Sequence, residues 1–274
     1  MPRISDFKFY RMHKESWDKR IERAERLPSK NDATSELLLF YAKLLRAQKQ
    51  IYDYLRSLRD WLPSGSLEED LPVVRTMVPS LLHAVVSSGS ASLVEEAQLL
   101  LQSEDSQLDQ MLLEQWRRPS DLQFFAKAFL QPYARWLAES GAVPLDRDLP
   151  RKESSCQFCG GNPQLSVLQI KESSTGSGGR DLMCSTCLTV WPYRRVVCAN
   201  CGEERPEKLS YYHSPDYDHV RVEACDSCHY YLKGIDLTRV GLADPLVDEV
   251  AAAPLDLWAI ERGYTKLELN LIGL

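Results

Sequence analysis

Hydrophobic positions in the first half of the chain recur at spacings of three and four residues, which is the period of an amphipathic α-helix. The pattern is clearest over residues 36–62 and predicts one long helix with a buried face. An apolar stripe of this kind is typical of core packing. Its members are Leu37, Tyr41, Leu44, Gln48, Ile51, Tyr52, Leu55, Leu58 and Leu62.

Shorter periodic stretches predict four more helices before residue 140. In one of them, Ser92 and Glu95 have the spacing of a capping box, in which two side chains satisfy two unpaired backbone N–H groups. Together these patterns predict an all-helical domain over residues 1–140. The four helices are predicted at residues 71–86, 92–101, 108–116 and 119–138.

The chain changes character after residue 140. Residues 141–155 contain Pro144, Pro150 and mixed charges without any period, which predicts a linker. Beyond them, short runs at residues 166–170 and 181–183 alternate with period two, as strands do. They flank residues 173–179, SSTGSGG, whose glycines and serines predict a mobile hairpin tip.

All eight cysteines occur in CxxC pairs, and the pairs repeat. The first and third pairs are 42 residues apart, and the second and fourth are 41 residues apart. This internal repeat predicts two copies of one small fold, each with a strand, a turn and a strand between its two pairs. The pairs are Cys156/Cys159, Cys184/Cys187, Cys198/Cys201 and Cys225/Cys228.

The predicted fold class is therefore multi-domain, α plus small β. A helical domain is followed by two tandem rubredoxin-like or zinc-ribbon modules over residues 156–197 and 198–240. Residues 241–274 should form a short C-terminal helix and a docking tail. The helix is predicted at residues 250–262, ended by Gly263, and the tail KLELNLIGL is apolar enough to dock.

A CxxC turn directs two thiolates at one ion, so each pair supplies half of a tetrahedral site. The repeat favours closure of each site within one copy, although interleaved zinc modules make crossed pairing a second possibility. One predicted site joins Cys156, Cys159, Cys184 and Cys187. The other joins Cys198, Cys201, Cys225 and Cys228.

Four thiolates suit zinc or rubredoxin-like iron, and spacing alone does not separate the two metals. The ions would act as structural staples for two small hairpins or as redox centres. A thioredoxin-like role for one CxxC is disfavoured because no βαβ pattern surrounds it. Among the five histidines, His213 and His219 are weaker candidates for alternative ligands.

The composition narrows the class of protein. A net charge of −6 gives no overall attraction to nucleic acid, and residues 151–233 contain ten basic and ten acidic residues. No long apolar run predicts membrane insertion, and the charged N-terminus lacks the apolar region of a signal peptide, which predicts a cytoplasmic protein. Because no catalytic motif is present, the sequence does not indicate an enzyme.

Several longer motifs resemble the formate dehydrogenase accessory (formation) protein family of FdhE type. They combine the cysteine pairs with their neighbours in one order, and two helical stretches upstream extend the likeness to nearly the whole chain. The cysteine-region motifs are CQFCGGNP at 156–163, CSTCLTVWPYRRVVCANCG at 184–202, VRVEACDSCHYYLKGID at 220–236 and DEVAAAPLDLWAIERGY at 248–264. The helical motifs are FYAKLLRAQ at 40–48 and FFAKAFLQPYARWLAE at 124–139.

This resemblance implies two bound iron ions, with zinc as the alternative, in a chaperone-like protein required for active formate dehydrogenase. The implied partner is the catalytic subunit of that enzyme. Residues Trp191, Tyr193, Arg194 and Arg195, beside the cysteine pairs, are candidates for the contact surface. The alternative functions are a zinc-ribbon nucleic-acid-binding protein and a rubredoxin-like electron carrier.

Overall fold

The computed structural model describes residues 15–27, 32–147, 149–169 and 179–274. Within these ranges the first half is helical, and a single sheet and two further helices follow. None of the described helices is both long and apolar enough to cross a membrane. The first seven helices are α1 (Glu15–Arg26), α2 (Asp32–Ser57), α3 (Leu67–Val74), α4 (Val78–Val86), α5 (Ala91–Leu101), α6 (Asp105–Arg117) and α7 (Phe124–Ser140).

Helix α2 confirms the predicted amphipathic stripe over most of its length. Tyr41, Leu44 and Ile51 are buried, and the helix packs against α1, α7 and α4. The prediction was wrong at the end, because the helix stops at Ser57 and Leu62 is exposed. The Ser57 hydroxyl donates to the Tyr54 carbonyl, and Pro63 disfavours helical backbone in the residue before it.

The single helix predicted over residues 71–86 is wrong, because the chain forms α3 and α4 with a 3-10 turn between them. Pro79 lies in the first turn of α4 and has no N–H to donate to the Arg75 carbonyl. The Val78 N–H bonds that carbonyl instead, in the tighter 3-10 pattern. Proline therefore breaks the pattern that the apolar positions alone suggest.

The predicted capping box of Ser92 and Glu95 is also wrong. Helix α5 begins after Ser90, which makes no capping hydrogen bond through its side chain. The reciprocal box occurs at α6, where the Glu104 N–H donates to Gln107 at 3.0 Å. Glutamate replaces the usual serine or threonine there, so the standard motif misses it.

The two repeats join in one sheet with the strand order β3-β2-β1-β6-β5-β4. Antiparallel hairpins form each half, and the parallel pairing of β1 with β6 connects them. Each copy therefore contributes three strands, one more than predicted, since β3 and β6 follow the second cysteine pairs. The strands are β1 (Pro163–Gln169), β2 (Gly179–Cys184), β3 (Val190–Tyr193), β4 (Leu209–His213), β5 (Val220–Cys225) and β6 (Tyr230–Asp236).

The hairpin tip predicted to be mobile lies between β1 and β2. Apart from Gly179, which begins β2, it falls outside the described residues. The strands on both sides of it are longer than the predicted 166–170 and 181–183.

The helix predicted over residues 250–262 is two helices, α8 (Pro245–Ala251) and α9 (Ala253–Glu261). Pro254 has no N–H for the Val250 carbonyl, so the chain turns at Ala252. Gly263 follows α9 with a φ of 80°, as expected of a residue that ends a helix. The tail then adds β7 (Thr265–Lys266) beside β6 and buries Leu271 in the core.

The helical region and the sheet region share one core. Its residues include those of α2 and α7, the first four cysteines, and Val247, Val250 and Leu271 from the C-terminal segment. Two ion pairs add to this contact, Arg23 with Asp248 at 2.5 Å and Arg20 with Asp244 at 3.4 Å. The two parts are therefore packed into one body.

Residues 141–155 form neither helix nor strand among their described positions, yet they pack against the helical region. The Leu145 N–H donates to the Gly65 carbonyl at 2.8 Å, and the Trp116 indole donates to Asp146 at 2.7 Å. A side chain at residue 65 would collide with the Val143 carbonyl oxygen, and the φ of 98° there also favours glycine. The domain boundaries remain a prediction, and this segment connects the two regions through defined contacts.

Candidate metal centres

The eight cysteines form two clusters, each within one repeat. The first centre consists of Cys156, Cys159, Cys184 and Cys187, and the second centre consists of Cys198, Cys201, Cys225 and Cys228. Within each centre all four sulfurs lie within 4.8 Å of one another. The structure thus brings together the groups that the repeat favoured, and it does not bring together the crossed ones.

The sulfur spacing matches a tetrahedral cage. In the first centre, Cys159 Sγ lies 3.5 Å from Cys184 Sγ and 3.5 Å from Cys187 Sγ. In the second, two sulfur pairs are each 3.7 Å apart. A tetrahedron with metal–sulfur bonds of about 2.3 Å has edges of about 3.8 Å, so both centres have the size of such a site.

Each cysteine pair is followed by a residue in the left-handed region. The first pair of each repeat ends in glycine, with φ of 75° at Gly160 and 74° at Gly202. The second pair ends in a larger residue at the same angle, 57° at both Leu188 and His229. The sequence carries no signal for this conformation at Leu188 or His229, since left-handed backbone is uncommon outside glycine.

The turns also direct backbone N–H groups at sulfur. The Thr186 N–H donates to Cys184 Sγ and the Asn200 N–H to Cys198 Sγ, both at 3.4 Å. These bonds stabilise thiolates, which are the form that ligates metal. The donor set is soft and closed, which fits zinc or iron better than magnesium or calcium. The eight cysteines fit two sites in which four thiolates bind one metal ion. Their role as ligands remains a proposal.

The first centre lies in the shared core, with all four cysteines buried. Helix α7 supports it through Gln131, whose amide donates to the Ser185 carbonyl at 3.0 Å. Pro132 in the same helix leaves the Ala128 carbonyl without its helical donor, and the Gln48 amide donates to that carbonyl at 2.7 Å. Gln48 also bonds Gln131 at 3.2 Å, so a buried polar chain links α2, α7 and the first centre.

The second centre lies near the surface. Cys201 is exposed and Cys228 is half-buried, whereas Cys198 and Cys225 are buried. Burial raises the pKa of the Cys198 thiol. At Cys201 the opposing effect of burial is outweighed by the Glu203 N–H and the neighbouring thiols, which lower its pKa. The pKa is therefore lowered at the exposed thiol of this centre and raised at the buried Cys198.

The histidines considered as alternative ligands do not belong to either cluster. His219 Nε2 lies 2.7 Å from the Asp248 carboxylate, near α1 rather than near a cysteine. His213 is largely exposed at the end of β4, and the partial loss of water around its ring lowers its pKa.

The candidate partner surface is smaller than the sequence suggested. Trp191 is only 6% exposed and belongs to the shared core, so it presents no surface to a partner. Tyr193 is half-buried, whereas Arg194 and Arg195 are exposed. Arg194 forms ion pairs with Glu153 and Glu204. Arg194 and Arg195 remain candidates, and Trp191 is better explained as core packing.

Comparison with known proteins gives a consistent family. A model of the family "FdhE, C-terminal domain" matches residues 196–272. The chain is 30% identical over 271 residues to "Protein FdhE homolog" of Aquifex aeolicus (strain VF5), covering 92% of this chain and 94% of that protein. It is 28% identical over 207 residues to "Protein FdhE homolog" of Haemophilus influenzae (strain PittEE), covering 74% and 63%.

A solved structure supports the same fold. The crystal structure of the FdhE protein from Pseudomonas aeruginosa superposes with a TM-score of 0.71 at 23% identity, covering 96% of this chain and 98% of that chain. On the strength of the match along almost all of the Aquifex aeolicus protein, this chain belongs to the FdhE family.

Proposed function

We propose that this protein is an accessory factor that binds the catalytic subunit of formate dehydrogenase in the cytoplasm and assists its maturation without catalysing formate oxidation. The observation that carries this proposal is membership of the FdhE family together with two intact four-cysteine centres. The motifs from Cys156 to Tyr264 supply the link to formate dehydrogenase. Each centre holds one iron ion in this proposal, with zinc as the alternative occupant.

The architecture suits a binding function. In this proposal four cysteines close each site around its ion, and such sites leave no open position for a substrate. The helical region packs on the first centre and leaves the second near the surface. We place the contact for the catalytic subunit beside the second centre, at the exposed Arg194 and Arg195.

The test is capture of the catalytic subunit by the full-length chain. Because the two regions share a core, separate halves would expose that core, and surface variants of the whole chain give a cleaner experiment. Charge reversal in Arg194→Glu/Arg195→Glu should weaken capture at least about tenfold. The matched control is Arg59→Glu, at an exposed arginine beyond α2.

Capture that is equal in all three proteins would remove this surface from the proposal. Failure of the unaltered chain to capture the subunit, combined with tight binding to duplex DNA at physiological salt, would favour a zinc-ribbon nucleic-acid-binding protein. The electron-carrier alternative is supported by the exposure of Cys201. This alternative requires bound iron that is reversibly reduced by one electron in the isolated protein. The rate of that reduction should not depend on the catalytic subunit.

A further inference from the structure

Glu203 connects the two cysteine pairs of the second centre. It lies two residues after Cys201, and its carboxylate accepts a hydrogen bond from the Ser227 hydroxyl at 2.6 Å. Ser227 lies between Cys225 and Cys228, inside the second pair. A hydrogen bond between two side chains thus joins the turn of one pair to the turn of the other, and we call this bond the Glu203–Ser227 bridge.

The rest of Glu203 is fixed within its own turn. Its carbonyl oxygen accepts a hydrogen bond from the Cys198 N–H at 2.9 Å. The carboxylate oxygen that does not contact Ser227 accepts from the backbone N–H groups of Glu204 at 3.1 Å and Arg205 at 3.0 Å. Because both ends of the residue are held, the bridge restrains the distance between the two pairs.

Arg205 offsets the negative charge of Glu203. Four thiolates around a divalent ion carry a net negative charge, so a further negative charge beside them is unfavourable. The Arg205 guanidinium contacts both carboxylate oxygens of Glu203, at 3.0 Å and 2.7 Å. This ion pair reduces the repulsion, and the carboxylate still accepts the Ser227 hydroxyl.

The first centre cannot form the same bridge. The offsets of the repeat place Gly161 at the position of Glu203 and Thr186 at the position of Ser227. A side-chain carbon at Gly161 would lie 3.0 Å from the Thr186 hydroxyl oxygen and 3.1 Å from Cys184 Sγ. The space that a larger side chain needs is therefore already filled in the first repeat.

The backbone joins the two pairs of the first centre directly. The Ser185 N–H donates to the Asn162 carbonyl at 3.1 Å, and the shared core encloses all four cysteines. At the equivalent position of the second centre, the Asp226 N–H donates instead to the Lys208 carbonyl at 2.9 Å, further along the chain from the first pair. The second centre thus has a side-chain bridge where the first centre has a backbone bond.

The bridge lies beside the two ligands that solvent reaches most easily. Cys201 is exposed and Cys228 is half-buried, and each is close in sequence to one end of the bridge. We propose that the Glu203–Ser227 bridge positions the two cysteine pairs of the second centre and slows the release of its metal ion. Glu203 and Ser227 are positioning residues in this proposal. It rests on the proposed metal occupancy and is independent of the assignment to formate dehydrogenase.

Release of zinc from the full-length chain tests the bridge. Stopped-flow mixing of the loaded protein with a chromophoric chelator should give two phases, and the phase missing from Cys201→Ser/Cys228→Ser belongs to the second centre. Ser227→Ala removes the donor at an exposed position and should accelerate that phase about 3- to 10-fold. The phase of the first centre should stay within about twofold, because the bridge lies outside that centre.

Ser227→Thr is the matched control. It keeps the hydroxyl, and threonine already occupies the equivalent position 186 of the first repeat. Release from the second centre should therefore stay within about twofold of the unaltered protein. Acceleration by Ser227→Thr equal to that by Ser227→Ala would overturn the proposal, because the hydroxyl would then be irrelevant.

A double-mutant cycle separates the bridge from the other contacts of the two side chains. Glu203→Ala also removes the acceptor for Glu204 and Arg205, so its own effect combines several losses. In the Glu203→Ala background, Ser227→Ala should change the release rate by less than about twofold, since the acceptor of the bridge is already gone. The same acceleration by Ser227→Ala in both backgrounds would contradict the inference.

Two further results would also reject the bridge. Unchanged release in Ser227→Ala would show that the bridge does not retain the ion, and equal acceleration of both phases would show a general loss of stability. If the unaltered chain binds zinc at neither centre, the proposed metal sites fail together with the bridge. Normal loading of both centres with an unaffected release rate rejects the bridge alone.

Discussion

The two centres have the same ligands and the same turns but opposite surroundings. The first is enclosed by α7, the C-terminal segment and the buried Gln131, whereas the second places Cys201 in solvent. Their sulfur spacings are nearly equal, so the difference lies outside the ligand set. One copy of a duplicated module has become part of a larger core, and the other has kept an open side. An ion in the first centre should therefore stabilise the fold, whereas the same ion in the second centre should remain accessible to solvent.

The largest expected difference comes from removing ligands. Cys156→Ser/Cys159→Ser should reduce bound metal from two ions to one and lower the free energy of unfolding by about 5 kcal/mol or more, because the first ion supports the shared core. Cys198→Ser/Cys201→Ser should also remove one ion but leave the helical region folded. Metal analysis and thermal unfolding followed by circular dichroism measure both effects. Loss of both ions from either variant would indicate shared ligation.

The support from α7 can be tested next. Gln131→Leu removes the donor to the buried Ser185 carbonyl and should destabilise the protein by ~2 kcal/mol. Urea unfolding measures this value. Transfer of metal from the protein to a chelator should accelerate at the first centre only. The control Gln110→Leu alters an exposed glutamine of α6 and should change stability by less than about 0.5 kcal/mol. Equal effects of the two variants would show that the link to α7 carries no stability.

Release of metal from the intact protein should occur in two phases. The second centre should lose its ion roughly tenfold faster or more, since the first centre opens only when the shared core opens, at a cost of at least ~1.4 kcal/mol more. Stopped-flow mixing with a chromophoric chelator resolves the phases. The fast phase should be absent from Cys201→Ser/Cys228→Ser, and its persistence there would reverse the assignment.

The smallest effect concerns the left-handed residues. His229 is exposed with a φ of 57°, and its ring lies 6.1 Å from the Tyr264 ring, so His229→Gly relieves strain at little cost in packing and should stabilise the protein by up to about 1 kcal/mol. Leu188 has the same angle, but its side chain is buried. Leu188→Gly should destabilise the protein, since lost burial of ~2 kcal/mol exceeds the relief. Thermal unfolding of the metal-loaded variants compares the two signs.

Local sequence patterns predicted those features that depend on residues close together in the chain. The CxxC spacing and the 41- and 42-residue repeat indicated the two clusters, and the apolar stripe indicated α2. The breaks at Pro79 and Pro254 were missed because the apolar pattern runs through both prolines. The Gln131–Ser185 contact was also missed, since it joins positions far apart in the chain. Sequence periodicity describes which face of an element is buried and does not describe what covers it.

The parallel pairing of β1 with β6 has a consequence for synthesis of the chain. Leu165 pairs with Lys233, so the sheet closes only after the second repeat has been made. All four cysteines of the first centre have been translated by Cys187, well before Leu271 exists to complete the core that they share. Long-range closure of this kind is slow compared with formation of a local hairpin. The first centre thus passes through a period on the ribosome during which it is open to metal, and the order of translation gives the buried site its opportunity to be loaded.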